Sequence, residues 1–272
     1  MKQYLLRNSM GRVGMFIRDK VTILKLAYLS PETVGTVASD LLATKLVTTI
    51  CKPGATFVDV GAHIGSIISE VKHNIPSARI VAVEAIPDKV EKLQQYFPFA
   101  EIHSCAVGES TANISFFINT LQSGYSSLAR PINGNEKSIV EITVPIKRLD
   151  DLVLSNDVDV IKIDVEGAEL GVLRGSVNIL DRCRPTIMFE SSPQSDIGLG
   201  YTKEALYEFL ASKGYSIVVP NRVAHDGPGL TLEGFLESHF YPRRTTNYLA
   251  IPRERRSEIR DRARSVLNVP SE

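Results

Sequence analysis

The chain has 272 residues, 43% of them hydrophobic and 23% charged, which suits one large domain, or one domain with an appendage, around a sizeable core. Its zero net charge is unevenly spread: residues 1–30 hold six cations and one acid, and residues 253–272 hold six arginines and four acids, so the body between them is acidic by about seven charges. An acidic body argues against a nucleic-acid enzyme, and the basic ends read first as solvated helix faces.

Along the chain, VTILKLAYL (21–29) is the most apolar early run. It is short, contains Lys25 and has no long apolar continuation, so it is neither a targeting segment nor a membrane span. The three cysteines, Cys51, Cys105 and Cys183, are far apart and lack metal-site spacing, which points to a reducing compartment and no zinc. The expectation is a soluble, cytoplasmic protein without membrane insertion. Ser30-Pro31-Glu32 marks a helix start, with Ser30 as N-cap and Pro31 at the first helical position. That helix should run to about residue 50, stopping before Pro53-Gly54.

Strands and helices then alternate. Strands are expected at 56–61, 79–85 and 101–107, with helices at 64–74 and 87–97 between them. Two more strands, 114–119 and 138–146, flank a Gly/Ser/Asn-rich loop. A short helix at 149–154 precedes a strand at 159–164 and a helix at 168–182. Strand 186–191, helix 202–213, strand 215–220 and strand 246–252 complete the series. Such βα alternation with apolar strands implies an α/β fold, a parallel sheet covered on both faces, with ligands at the carboxyl ends of the strands. In the Arg-rich end, Ile259, Ala263, Val266 and Leu267 share one helical face, suited to packing on the domain or on a second subunit of a homo-oligomer.

The candidate site begins where the first strand ends, at Asp59-Val60-Gly61-Ala62-His63-Ile64-Gly65. Glycines there let the backbone turn sharply and approach a ligand. A dinucleotide loop would need glycines where His63 and Ser66 stand, so a ligand without a pyrophosphate fits better. Glu84 ends the second strand, where an acid can accept both ribose hydroxyls of an adenosine group. A nucleoside without phosphate points to S-adenosylmethionine.

The segments DVGAHIG, VEAIPD, CAVGES, GYSSLARP, VPIKRLDDL and IKIDVEGAELGVLRG occur in the order that resembles the FkbM family of S-adenosylmethionine-dependent methyltransferases. The likeness covers about residues 55–192, with a weaker tail through YLAIP, and IKIDVEGAE is its most particular part. His63 stands where the family often has Asn. The resemblance implies the Rossmann-like class I methyltransferase fold, a mostly parallel seven-stranded sheet with a terminal antiparallel strand, here 246–252. It divides the chain into an N-terminal helical extension (1–50), a methyltransferase domain (51–252) and an Arg-rich C-terminal helix or tail (253–272). It also implies O-methylation of a hydroxyl on a sugar or natural-product-like acceptor. Asp59 and Gly61, with the loop residues His63 and Gly65, would lie against the cofactor's methionine part. Glu84 would hold the ribose, Ala106 would lie near the adenine, and Asp164 would sit beside the methyl group.

An alcohol is a poor nucleophile until its proton begins to leave, so a base helps. Asp164 is the first candidate for base or acceptor orienter, and Glu190, at the end of the neighbouring strand, the second. Each residue also has a plainer reading. Glu166 and Glu169 stand at a helix start, which favours acids by about 0.3–1 kcal/mol each. Asp59 can simply brace the glycine turn, and His63 can be a loop hydrogen bonder. Lys162, on an otherwise apolar strand, should pair with a nearby acid. Asp164, Glu166 and Glu190 together could hold Mg²⁺, yet no ligand spacing demands it, and no metal is expected. Tyr125, Ser126 and Ser127 suit either a cover over the acceptor or a surface loop. The acceptor pocket should draw on residues 1–50 and 221–245. Two rivals stand beside the methyltransferase: a nicotinamide-dependent oxidoreductase on a similar sheet, and a protein that binds the cofactor without catalysis.

Overall fold

The computed structural model describes residues 9–121, 127–128, 138–192 and 199–270. Helix α1 (Ser9–Leu29) and, after a 3-10 turn at Pro31–Thr33, helix α2 (Val34–Val47) precede the sheet. Then follow β1 (Thr56–Val60), α3 (Ser66–Asn74), β2 (Arg79–Glu84), α4 (Pro87–Tyr96), β3 (Glu101–Ser104), β4 (Ala106–Val107), β5 (Ala112–Asn119) and β6 (Ile139–Lys147). After them come α5 (Leu149–Leu152), β7 (Val158–Ile163), α6 (Glu169–Arg174), α7 (Val177–Cys183) and β8 (Thr186–Glu190). The chain closes with α8 (Lys203–Ser212), β9 (Tyr215–Val218), α9 (Leu232–Glu237), β10 (Asn247–Pro252) and α10 (Arg256–Leu267).

Seven strands form one sheet in the order β3-β2-β1-β7-β8-β10-β9, and β10 alone runs antiparallel to its neighbours. This is the class I methyltransferase arrangement. The chain leaves β1 outward to β2 and β3, then returns to place β7 on the other side of β1. The strand order therefore reverses between β1 and β7, and the crevice at their carboxyl ends is where such sheets bind ligands. Strands β4, β5 and β6 form a separate three-stranded sheet.

Period-two alternation explains why the central strands are apolar throughout. Val58, Val60, Ile161 and Ile163 enter one core layer, whereas Phe57 and Val160 enter the other. With helices over both faces, the middles of these strands are apolar, and polar residues stand at their ends: Thr56, Asp159 and Thr186 near the starts, the site residues near the carboxyl ends.

Several expected elements differ in detail. The single helix expected over 168–182 is two helices, because tertiary contacts pin the break. Asp150 accepts from the backbone of Asn178 and Ile179 at 3.1 and 3.0 Å, satisfying the start of α7, and a Cβ at Gly175 would lie 2.1 Å from the Gly108 carbonyl. The strand expected over 101–107 divides at Cys105, since β4 leaves the main sheet to pair with β6. Ser30 makes no side-chain cap; the chain instead enters α2 through a 3-10 turn, and α2 stops at Val47. Within 221–245, α9 had no counterpart in the sequence pattern.

The Arg-rich end lies on the domain. Ile259 and Ala263 of α10 are wholly buried, and Arg255 and Arg262 reach the buried Asp159 carboxylate at 2.6 and 2.7 Å. Asp159 lies near the start of β7, at the end of the sheet away from the reversal crevice. Among the described residues no helix is long and apolar enough to cross a membrane.

Candidate active site

The turn after β1 is left-handed at Gly61, His63 and Gly65, with φ of 81°, 52° and 82°. A Cβ at Gly61 would lie 2.0 Å from the Asp164 carbonyl oxygen, so only glycine lets the end of β1 pass the end of β7. The turn is closed by backbone bonds: Gly61 and Ala62 both donate to Val83 O, at 2.9 and 3.1 Å, and Gly65 donates to Ala62 O at 2.8 Å.

Lys162 is the pivot beneath it. Its side chain is buried, and Nζ lies 2.9 Å from Gly61 O, 3.2 Å from Asp59 Oδ1 and 3.4 Å from Asp164 Oδ2. The two carboxylates raise the ammonium above its ordinary value and so keep it charged. Asp59 is completely buried; burial pushes its carboxyl up, and Lys162 opposes the rise. The expected pairing of Lys162 with an acid is present twice over.

Glu84 takes one backbone N–H on each oxygen, from His63 at 2.8 Å and from Ile86 at 2.9 Å. It thereby ties the glycine turn to the end of β2. Burial raises its carboxyl, against the nearby Lys89 charge. A carboxylate offers about four acceptor positions, so two remain for a ligand.

The carboxylates that crowd the end of β7 take different roles. The side chains of Asp164 and Glu190 share a hydrogen bond. Lys162 and this bond hold Asp164 below the usual carboxylate range, against burial. Burial and the Asp164 charge push Glu190 up to about 10. Two carboxyl groups this close resist ionising together, so the pair favours a single negative charge, with Asp164 lowered and Glu190 raised. Glu166 sits at φ 54° with its carboxyl pushed to about 7, chiefly by burial. Oxygens of Asp164, Glu166 and Glu190 lie within 4.8 Å of one another, the geometry a divalent cation would use, but the Lys162 ammonium already supplies a positive charge at Asp164. Glu169 faces away from this group: its buried Oε1 accepts from Val165 N at 3.3 Å and Gly167 N at 3.2 Å, bracing the turn into α6.

These groups line one cavity of about 360 Å³, within the range of roughly 300–1,000 Å³ usual for small-molecule sites. Of the sequence candidates, Gly61, His63, Glu84, Ala106, Asp164 and Glu190 stand on its wall. Asp59 and Gly65 do not; they lie behind it, Asp59 on Lys162 and Gly65 against Phe97. Wall residues that the sequence did not point to include Ile86, Lys89, Phe116, Thr44 and Asn247. Ile86 and Lys89 follow Glu84 closely enough to have been suspected, whereas Thr44 on α2 and Asn247 on β10 carry no local signal. The segment 1–50 contributes Thr44, but 221–245 contributes no wall residue. Tyr125 and Ser126 lie outside the described residues; Ser127 pairs with Phe117 and its hydroxyl donates to Glu166 O at 2.9 Å.

The profile of the methyltransferase FkbM domain matches residues 59–217, more than half of the chain and all of the wall between Val60 and Glu190. The chain belongs to the FkbM methyltransferase family. Among curated proteins it is similar to Methyltransferase 1 of Beauveria bassiana, 28% identical over 141 residues that cover 43% of this chain and 57% of that one. Among solved structures it is similar to the methyltransferase FkbM of Methylobacillus flagellatus (17% identical, 88% of this chain and 60% of that chain, TM-score 0.47). A TehB-like SAM-dependent methyltransferase of Corynebacterium glutamicum is a further likeness (11% identical, 77% and 85%, TM-score 0.41). This FkbM chain thus spans a little over half the length of the curated relative it matches. Family membership brings S-adenosylmethionine with it as cofactor, and the segment IKIDVEGAE, inside the matched range, lies on β7 and the turn that carries Asp164 and Glu166.

Proposed function

We propose that this FkbM protein is an S-adenosylmethionine-dependent O-methyltransferase that acts on a hydroxyl of a sugar or natural-product-like acceptor. The observation that carries the reading is the convergence of the Asp164 and Glu190 carboxyl groups, whose oxygens lie within 4.8 Å of each other, in the same cavity as Glu84. The wall suits the cofactor: Glu84 has acceptor positions left for two ribose hydroxyls, Ile86, Ala106 and Phe116 offer an apolar slot for a base, and the acidic floor suits a cation. When bound, S-adenosylmethionine supplies a methyl carbon on positively charged sulfur. Asp164 would accept the acceptor's hydroxyl hydrogen, orient its oxygen toward that carbon and take up the proton as the oxygen–carbon bond forms and the carbon–sulfur bond breaks, the sulfur leaving as a neutral thioether. Glu190, holding its own proton, donates to Asp164 and fixes its direction. Of the two candidate bases, Asp164 keeps that role and Glu190 becomes its positioning partner.

A nicotinamide enzyme fits less well. Phosphate-binding loops present free backbone N–H groups, but here those of Gly61, Ala62, His63 and Gly65 are all engaged within the protein. S-adenosylhomocysteine should raise the melting temperature and NAD should not. A shift with NAD alone would overturn the reading. Asp164→Asn should lower the single-turnover methyl-transfer rate by about 10²–10⁴ with a much smaller change in S-adenosylhomocysteine affinity. A near-normal rate would remove Asp164 as base, and folded protein that binds S-adenosylhomocysteine yet transfers no methyl to any hydroxyl acceptor would favour the binding-only rival.

A further inference from the structure

Helix α1 is built the wrong way round for a helix that belongs to a core. Ile17, Val21, Leu24 and Tyr28 recur at steps of four, three and four, so they share an arc of about 60° on the helix. That stripe faces solvent: the four side chains are 55%, 55%, 71% and 88% exposed. The half-buried side chains, Ile23 and Leu26, stand on the opposite side, where α1 leans on the 3-10 turn and α2. Lys25 and Arg18 flank one edge of the stripe and Lys20 the other, all three exposed. An apolar stripe turned outward between two cationic edges is the pattern of a helix that lies in a membrane interface. The end of the helix continues it. Tyr241 donates to Glu32 at 2.7 Å, and Thr36 bonds the carbonyl of Arg243, which sets the exposed rings of Phe240 and Tyr241, beside Arg243 and Arg244, next to the C-terminal end of α1.

We propose that α1 and the Phe240–Arg244 loop form a peripheral docking surface for an anionic lipid bilayer, with the helix lying flat. The charge pattern decides against a second copy of the chain as occupant. A two-stranded coil through this stripe would set Lys20 and Lys25 on its edges, so that cations would face cations in either chain direction. Anionic headgroups complement both edges, and the acyl boundary takes up the stripe. Because α2 carries Thr44 and the loop leads into Asn247, both on the cavity wall, the docked face and the site share their supporting elements.

The test is co-sedimentation of the full chain with vesicles of phosphatidylcholine alone and of phosphatidylcholine mixed with phosphatidylglycerol. The protein should sediment with the mixed vesicles, much less with the neutral ones, and less as salt is raised. Ile17→Gln/Leu24→Gln/Tyr28→Gln keeps good helix formers and should weaken partitioning by more than about a hundredfold, at roughly tenfold or more for each apolar side chain. Lys20→Glu/Lys25→Glu should abolish the preference for phosphatidylglycerol. Both variants should keep the wild-type melting temperature and its rise with S-adenosylhomocysteine, which shows that the body is intact. The proposal is overturned if the wild type stays in the supernatant with mixed vesicles, or if the triple variant sediments as the wild type does. A wild-type dimer that the triple variant converts to monomer would assign the stripe to a second copy instead.

Discussion

Replacing Lys162 by Met keeps an unbranched side chain one atom shorter and removes the charge that holds the site's two halves together. The ammonium stands at 2.9 Å from Gly61 O, 3.2 Å from Asp59 and 3.4 Å from Asp164, with 5% of the residue exposed. The variant leaves Asp59, which has no exposure at all, without its compensating charge. Breaking a buried pair on one side costs about 3–5 kcal/mol. For a chain of this size that corresponds to a fall in melting temperature of roughly 10 °C, at about 2–4 °C per kcal/mol. The loss should also depend on pH with a definite sign. Without Lys162, burial and the Asp164 charge act unopposed on Asp59 and raise its carboxyl further above the unfolded value. A raised acid destabilises the folded state above the unfolded value, so the deficit should shrink as pH falls toward about 4. Adding Asp59→Asn should recover part of the loss, because the uncompensated charge is then gone. Thermal unfolding of the wild type, the two single variants and the double variant, from about pH 4 to about pH 8, measures each of these effects. A folded Lys162→Met protein within about 2 °C of the wild type at neutral pH would refute the pivot role.

Glu84→Ala should lower S-adenosylhomocysteine affinity by about 1.5–3 kcal/mol, read by calorimetry, and should also cost stability, because the His63 and Ile86 N–H groups lose their acceptor. Unchanged affinity in folded protein would remove Glu84 from the ribose site. Glu169 is pushed from the ordinary 4.5 to about 7 by burial, so it binds its proton more tightly in the folded protein; stability should decline as pH rises from 4.5 to about 7, by up to about 3 kcal/mol, and Glu169→Gln should flatten that decline in pH-dependent denaturation. Gly61→Ala should destabilise by about 2–4 kcal/mol in urea unfolding, since φ is 81° and the added methyl meets the Asp164 backbone at 2.0 Å; a neutral effect would mean that β1 and β7 can separate at this turn.

Much of this molecule is legible in its sequence, because its signals are local. Apolar runs such as TFVDV and VIKI, punctuated by glycine turns and amphipathic segments, dictate βα units and a sheet buried on both faces. Glycine at 61, an acid at 84 and an acid at 164 each end a strand, and ends of parallel strands share one edge, so their meeting follows from the alternation itself. What the local pattern does not hold is which atoms touch. Asp59 and Asp164 look alike in sequence, each an acid near the end of an apolar strand, yet only Asp164 reaches the cavity. Asp59 is packed beneath the turn, on Lys162. Likewise Glu190 reads as a possible base, and only the fold sets it beside Asp164, where burial and the Asp164 charge raise its carboxyl. Gly175 and Asp150 divide one helical pattern into two helices through contacts between segments far apart in the chain. The outward face of α1 is the plainest case: the apolar period of a helix is written in the sequence, but whether that face meets a core or the solvent is decided by where the rest of the chain lies.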